Sequence, residues 1–169
     1  MSDEQSKKDL EIYLRDHYAG AVSALELLEH LIKAHEDDSL GEFFRHLRVE
    51  INADHQQLHN LMEALGFEES SLRSTGAWLA EKFSRAKLGF TVGEDAKLRL
   101  LQSLETLLLG ITGKKLLWHA LIAAQDSSAT LQRTNLARLE ARAVEQAEKV
   151  EVQRLAAAEV AFCASSFSP

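Results

Sequence analysis

Apolar residues recur at three- and four-residue spacing along four long stretches of this chain, the pattern of helices that each bury one face. The first stretch places Leu10, Leu14, Ala21, Ala24, Leu28 and Leu31 on one stripe, which predicts a helix from about Lys8 to Glu36 ended by the cluster HEDDS. The second carries Phe44, Leu47, Ile51, Leu58, Leu61 and Leu65, predicting a helix from about Leu40 to Leu65 with Gly66 as its stop and Asp54 on the stripe. In the third, from about Gly93 to Ala124, Leu98, Leu101, Leu104, Leu108, Ile111, Leu117 and Ile122 cover more than one face, so this helix reads as the most buried. The fourth, from about Leu131 to Phe162, shows Leu136, Leu139, Ala143, Val150, Ala157 and Val160, with Gln146 and Gln153 interrupting the stripe. The only proline is the last residue, Pro169, and strand signals are absent, so the fold class is all-α.

Short connections join the first helix to the second and the third to the fourth, which predicts two antiparallel hairpins. A long link, Phe67 to Val92, separates them. Its segment STGAWLAEKFSRAKLGF reads as a short amphipathic helix, with Trp78, Leu79, Phe83 and Leu88 on one side and Lys82, Arg85 and Lys87 toward water. The expected role of this extra helix is to cover the end of the bundle.

A chain of 169 residues that is 46% hydrophobic suits one domain, residues 1–169, with an ordered core over about 8–162 between frayed polar ends. Charge is uneven: residues 1–70 hold 6 Lys+Arg against 16 Asp+Glu, and residues 71–130 hold 8 against 5. So acidic a surface argues against nucleic acid as a partner, because binding a phosphate backbone needs clustered Lys and Arg. The single cysteine, Cys163, can form no internal disulfide, the opening MSDEQSKKDLE has no apolar core of a secretory signal, and no stretch is fit to span a bilayer. A cytoplasmic protein not held by a membrane is the expectation.

Candidate chemistry begins with Glu105, which stands in the run LRLLQSLETLLLGI with leucines at helical spacing on both sides. A carboxylate in a dry core must be met by a metal, a base or a shared proton. His55 and His59 stand four apart on one face of the second helix, where two solvated histidines are expected and a metal clasp is the alternative, and His17 and His119 fall on inner stripes, where a hydrogen-bonded core histidine is expected. Gly110 and Gly113 read as sites of close helix approach or bending. Phosphate loops, dinucleotide fingerprints and zinc-finger spacings are absent.

Two long hairpins with a middle crossover and inward acidic groups resemble the ferritin-like superfamily, and YLRDHYAGAVSALEL, AWLAEKFSRAKLGF and LETLLLGITGKKLLWHAL resemble a bacterial group within that fold. The likeness runs from Leu10 to about Ala161. It implies a ferritin-like four-helix bundle whose long crossover between helices two and three carries the extra helix. Di-iron members of that superfamily bind metal through a Glu on each of two helices and a Glu-x-x-His pair on each of the others. Here the second helix offers N-A-D-H, with Asn52 in place of the Glu before His55, and the fourth helix has no histidine, its nearest run being EQAEKVE.

Two expectations follow. The leading one is a non-catalytic bundle, a homodimer acting as a structural or protein-interaction module, in which Lys114, Arg142 and Gln146 meet Asp54 and Glu105 in a buried polar network without any cofactor. The partner would meet the exposed side of helices one and two or the amphipathic link. The alternative is an oxidoreductase or iron-handling protein holding Fe or Mn at a reduced site built from Glu26, Glu50, Asp54, His55 and Glu105.

Overall fold

The computed structural model describes residues 3–67 and 96–162, and every regular element among these residues is helical. In chain order they are α1 (Asp3–Ala34), α2 (Ser39–Ala64), α3 (Ala96–Ala123), a single 3-10 turn (Gln125–Ser127), the short α4 (Ala129–Arg133) and α5 (Leu136–Phe162). The helix expected around Trp78 and the tail with Cys163 lie outside the described residues.

Local chemistry sets the boundaries. Between α1 and α2, Asp38 takes the N-cap position and accepts from Leu40 N at 2.8 Å and Gly41 N at 3.1 Å. Its carboxylate also accepts from His35 Nδ1 at 2.9 Å, and that bond, more than the two backbone bonds, holds it below the usual carboxylate range. Gly41 is required there: a Cβ would stand 1.9 Å from the His35 carbonyl oxygen. At the other end of α2, Gly66 takes φ +76° and turns the chain so that Phe67 N donates to Met62 O at 3.1 Å and Gly66 N to Glu63 O at 2.9 Å. This is a Schellman close, with Phe67 buried beside Met62.

The fourth predicted helix divides in two. Leu131 belongs to α4, which Ser128 caps through Thr130 N, and Thr134 is extended. Asn135 then accepts from Arg138 N at 3.2 Å and opens α5. Short polar side chains that hydrogen-bond the backbone two or three residues on favour such breaks over a continuous helix.

Two apolar clusters show how the helices run. In one, Leu14 of α1 joins Leu61 and Met62 of α2, Leu117 and Trp118 of α3, and Leu136 and Leu139 of α5. In the other, Leu28 and Leu31 join Phe44 and Leu47, Leu101 and Leu104, and Val150 and Ala157. The start of α1 therefore meets the end of α2, and the end of α3 meets the start of α5, so each pair is an antiparallel hairpin. By the same pairing α2 and α3 run in the same direction, with the end of α2 and the start of α3 at opposite ends of the assembly. Packing is dense within each hairpin and sparser between them. No described helix is long and apolar enough to cross a membrane.

Candidate functional site

The two apolar clusters are separated at mid-height by polar side chains that occupy core positions. Asp54 lies between Ile51 and Leu58 on α2, Lys114 between Ile111 and Leu117 on α3, and Gln146 between Ala143 and Val150 on α5. The helical repeat therefore points all three inward. Asp54 and Gln146 are each 1% exposed, and the Lys114 side chain is 14% exposed.

Lys114 Nζ donates to Asp54 Oδ2 at 2.6 Å and to Gln146 Oε1, while Gln146 Nε2 donates to the same Asp54 oxygen at 2.9 Å. Arg142, half-buried on α5, brings Nη2 to 3.0 Å from Asp54 Oδ1 and donates to the Glu50 carbonyl oxygen at 3.3 Å. The approach to Oδ1 is an ion pair without hydrogen-bond geometry, so that oxygen accepts no hydrogen bond among the described residues. Burial pushes the Lys114 ammonium below its ordinary value, opposed by the charge and hydrogen bond of Asp54. The set holds two cations against one carboxylate, and the neighbouring Glu50 is matched by Lys149 at 2.6 Å.

Beside this network lies a groove of about 330 Å³ between α1 and α3. Asp54 and Lys114 reach its floor, Ile51, Leu58 and Trp118 line its depth, and Gly20, Gly110 and Gly113 line its walls. A Cβ added at any of these three glycines would meet nothing within 4 Å. Gly110 and Gly113 are thus not points of close helix approach among the described residues; they open the groove. Leu109, 74% exposed, stands at its edge with Asp16 and His17.

The expected network is corrected at Glu105. That carboxylate is 49% exposed and pairs with Arg154 at 3.7 Å, while Asp54, Lys114, Arg142 and Gln146 come together without it. The residues proposed as metal ligands do not converge. Glu26 is exposed, Glu50 pairs with Lys149, and Glu105 points outward. His55 faces α1, its ring 4.2 Å from that of Tyr18. Among the described residues no three His, Cys, Asp or Glu are grouped to hold a metal ion.

The other histidines follow their surroundings. His119, expected in the core, is exposed and bonds Glu140 at 2.9 Å, because the phase of α3 turns it outward. His55 and His59 are half-buried, not solvated; among the described residues His55 Nε2 and His59 Nδ1 have no hydrogen-bond partner, and Tyr18 packs against both rings. Burial, followed by the charge of His59, lowers the His55 value; burial also lowers that of His17, against the pull of Asp16.

The groove itself was not foreseen from the sequence. Its signals were Gly20 beside the first stripe, the glycine pair in LLLGITGKK, and leucines on every side of α3, one more face than the described partners cover. Comparison of the chain with family models, with curated proteins and with solved structures finds no match.

Proposed function

We propose that this chain is a non-catalytic binding module of the ferritin-like four-helix type, with a charge-paired polar network where di-iron members of that fold hold metal. The observation that carries this reading is the occupation of Asp54. Lys114 and Gln146 take one carboxylate oxygen, and Arg142 stands 3.0 Å from the other. A metal would have to displace two cationic side chains and find further ligands, and the described residues supply no such group. The shared direction of α2 and α3 supports the ferritin-like topology, which needs a crossover returning along the bundle.

Recognition through a shaped, largely apolar groove fits a module of this kind better than catalysis does. Thr106, the hydroxyl among its lining residues, donates to the Gln102 carbonyl oxygen at 2.9 Å. The test is elemental analysis of purified protein for Fe, Mn and Zn after exposure to each ion, alongside Asp54→Asn. Protein that folds normally and retains less than stoichiometric metal is expected. One equivalent of tightly held metal that is lost in Asp54→Asn would overturn the reading.

A further inference from the structure

We propose that the groove between α1 and α3 binds an alkyl-chain carboxylate in its free form, the head group at Lys114 and the tail along the glycine-lined walls. This rests on the binding-module reading and names the ligand class of that site.

Three independent observations converge on it. The first is charge. Lys114 is the cation that lines the groove, and its carboxylate partner Asp54 is shared with Arg142, which stands 3.0 Å from the other carboxylate oxygen. An anionic head group at Lys114 would therefore meet an ammonium whose counter-charge is divided between two bases, in a charge-assisted hydrogen bond. Asp16 at the rim is exposed, so water screens its repulsion of an anion at the floor.

The second is unused donor capacity. An ammonium group has three protons, and the described acceptors of Lys114 are Asp54 and Gln146, leaving one N–H for a ligand at the floor. Trp118 also lines the groove, is 0% exposed, and its Nε1 has no hydrogen-bond partner among the described residues. Buried donors without partners are uncommon in folded proteins, and each calls for an acceptor.

The third is shape. Gly20, Gly110 and Gly113 leave open space where any side chain would intrude, and Ile51, Leu58 and Leu117 make the interior apolar. A groove of about 330 Å³ admits an alkyl chain of medium length, for which decanoate serves as the probe. That volume lies in the range of small-molecule sites, which pair apolar walls with a few placed polar groups.

The test titrates the full-length protein with decanoate and with decanol, following heat and the fluorescence of Trp118 in a Trp78→Phe background. Decanoate should saturate at one equivalent and bind about tenfold or more tightly than decanol, the margin expected of a charge-assisted hydrogen bond. Lys114→Met should erase that margin. Since Lys114→Met also disturbs the network, Gly110→Leu serves as a second variant that fills the groove from a position with free space, and it should abolish binding while helicity is kept.

Several results would overturn the proposal: no saturable decanoate binding, equal affinity for decanol, or unchanged binding in Gly110→Leu. So would a dimer that Gly110→Leu converts to monomer without any decanoate effect, since the groove would then seat a second copy. Decanoate binding that appears only after Trp78→Ala and Phe83→Ala would give the groove to the chain's own residues 68–95 and would overturn the proposal as well. Bound stoichiometric metal would count against the binding-module reading alone.

Discussion

Asp54 is held by partners from two other helices, and what each contributes can be separated by substitution. Removing Lys114 leaves a buried carboxylate with one amide and one misaligned guanidinium, so Lys114→Met should lose about 3 kcal/mol, the scale of breaking a buried ion pair. Gln146→Leu removes one neutral donor and one acceptor and should lose about 1–3 kcal/mol. Urea unfolding of both variants checks the order, and a larger loss for Gln146→Leu would contradict it. Protonation offers a second residue-scale test. His17 and His55 both titrate below the ordinary 6.5 in the fold, chiefly through burial, so each is stabilised as the neutral ring. The unfolded chain then binds more protons near pH 6, and stability that is complete above about pH 6.5 is lost as pH falls below it. Urea midpoints at pH 7.5 and 5.5 bracket this window, and Asp38 and Glu151, held below the usual carboxylate range by their partners, titrate beneath it. His55→Gln should shrink the difference, and equal midpoints at the two pH values would refute the assignment. Asp54 was legible in the sequence while Glu105 misled, and the cause is the phase of the two helices. On α2 the apolar residues form one stripe and Asp54 is part of it; on α3 leucines surround Glu105 on nearly every side, so periodicity does not tell which face is buried.

At the scale of single elements, the three informative glycines should respond in opposite directions. Gly41→Ala drives a Cβ into the His35 carbonyl and should cost at least about 1–3 kcal/mol, since backbone at that contact has no rotamer by which to yield. Gly66→Ala places a side chain at φ +76° and should cost about 1–2 kcal/mol at the close of α2. Gly110→Ala adds a methyl to open space inside a helix, where alanine is favoured over glycine by about 0.5–1 kcal/mol, and should raise the thermal midpoint. A destabilised Gly110→Ala would show that something fills the groove wall. Helix existence and most core stripes were readable because long periodic runs carry many concordant positions. The break at Thr134 and Asn135 was not, since Leu131 and Leu136 keep the apolar pattern while the backbone bonds of Ser128 and Asn135 interrupt it. Gly110 and Gly113 were visible as glycines, but the sequence carries the same signal for a tight approach and for an opening.

For the whole molecule, the question is what fixes one hairpin against the other. Contacts between the hairpins are fewer than within them, and the polar set at mid-height draws together α2, α3 and α5. Buried polar groups of this type cost desolvation energy, and well-packed apolar replacements are often neutral or more stable by about 1–4 kcal/mol. What they offer in return is register, because a sliding helix would strand Asp54 or Lys114 without a partner. The combined variant Asp54→Leu, Lys114→Met and Gln146→Leu should therefore be at least as stable as the parent, in contrast to Lys114→Met alone. Arg142 keeps its bond to the Glu50 carbonyl and its partial exposure, so no charge is left stranded. The apolar variant should also lose definition, with broadened amide resonances at the hairpin interface and faster hydrogen exchange there than within each hairpin. Should the triple variant unfold as readily as Lys114→Met, the network would be a net source of stability. Should it remain as sharply ordered as the parent, the two apolar clusters alone would suffice to set the register of the hairpins.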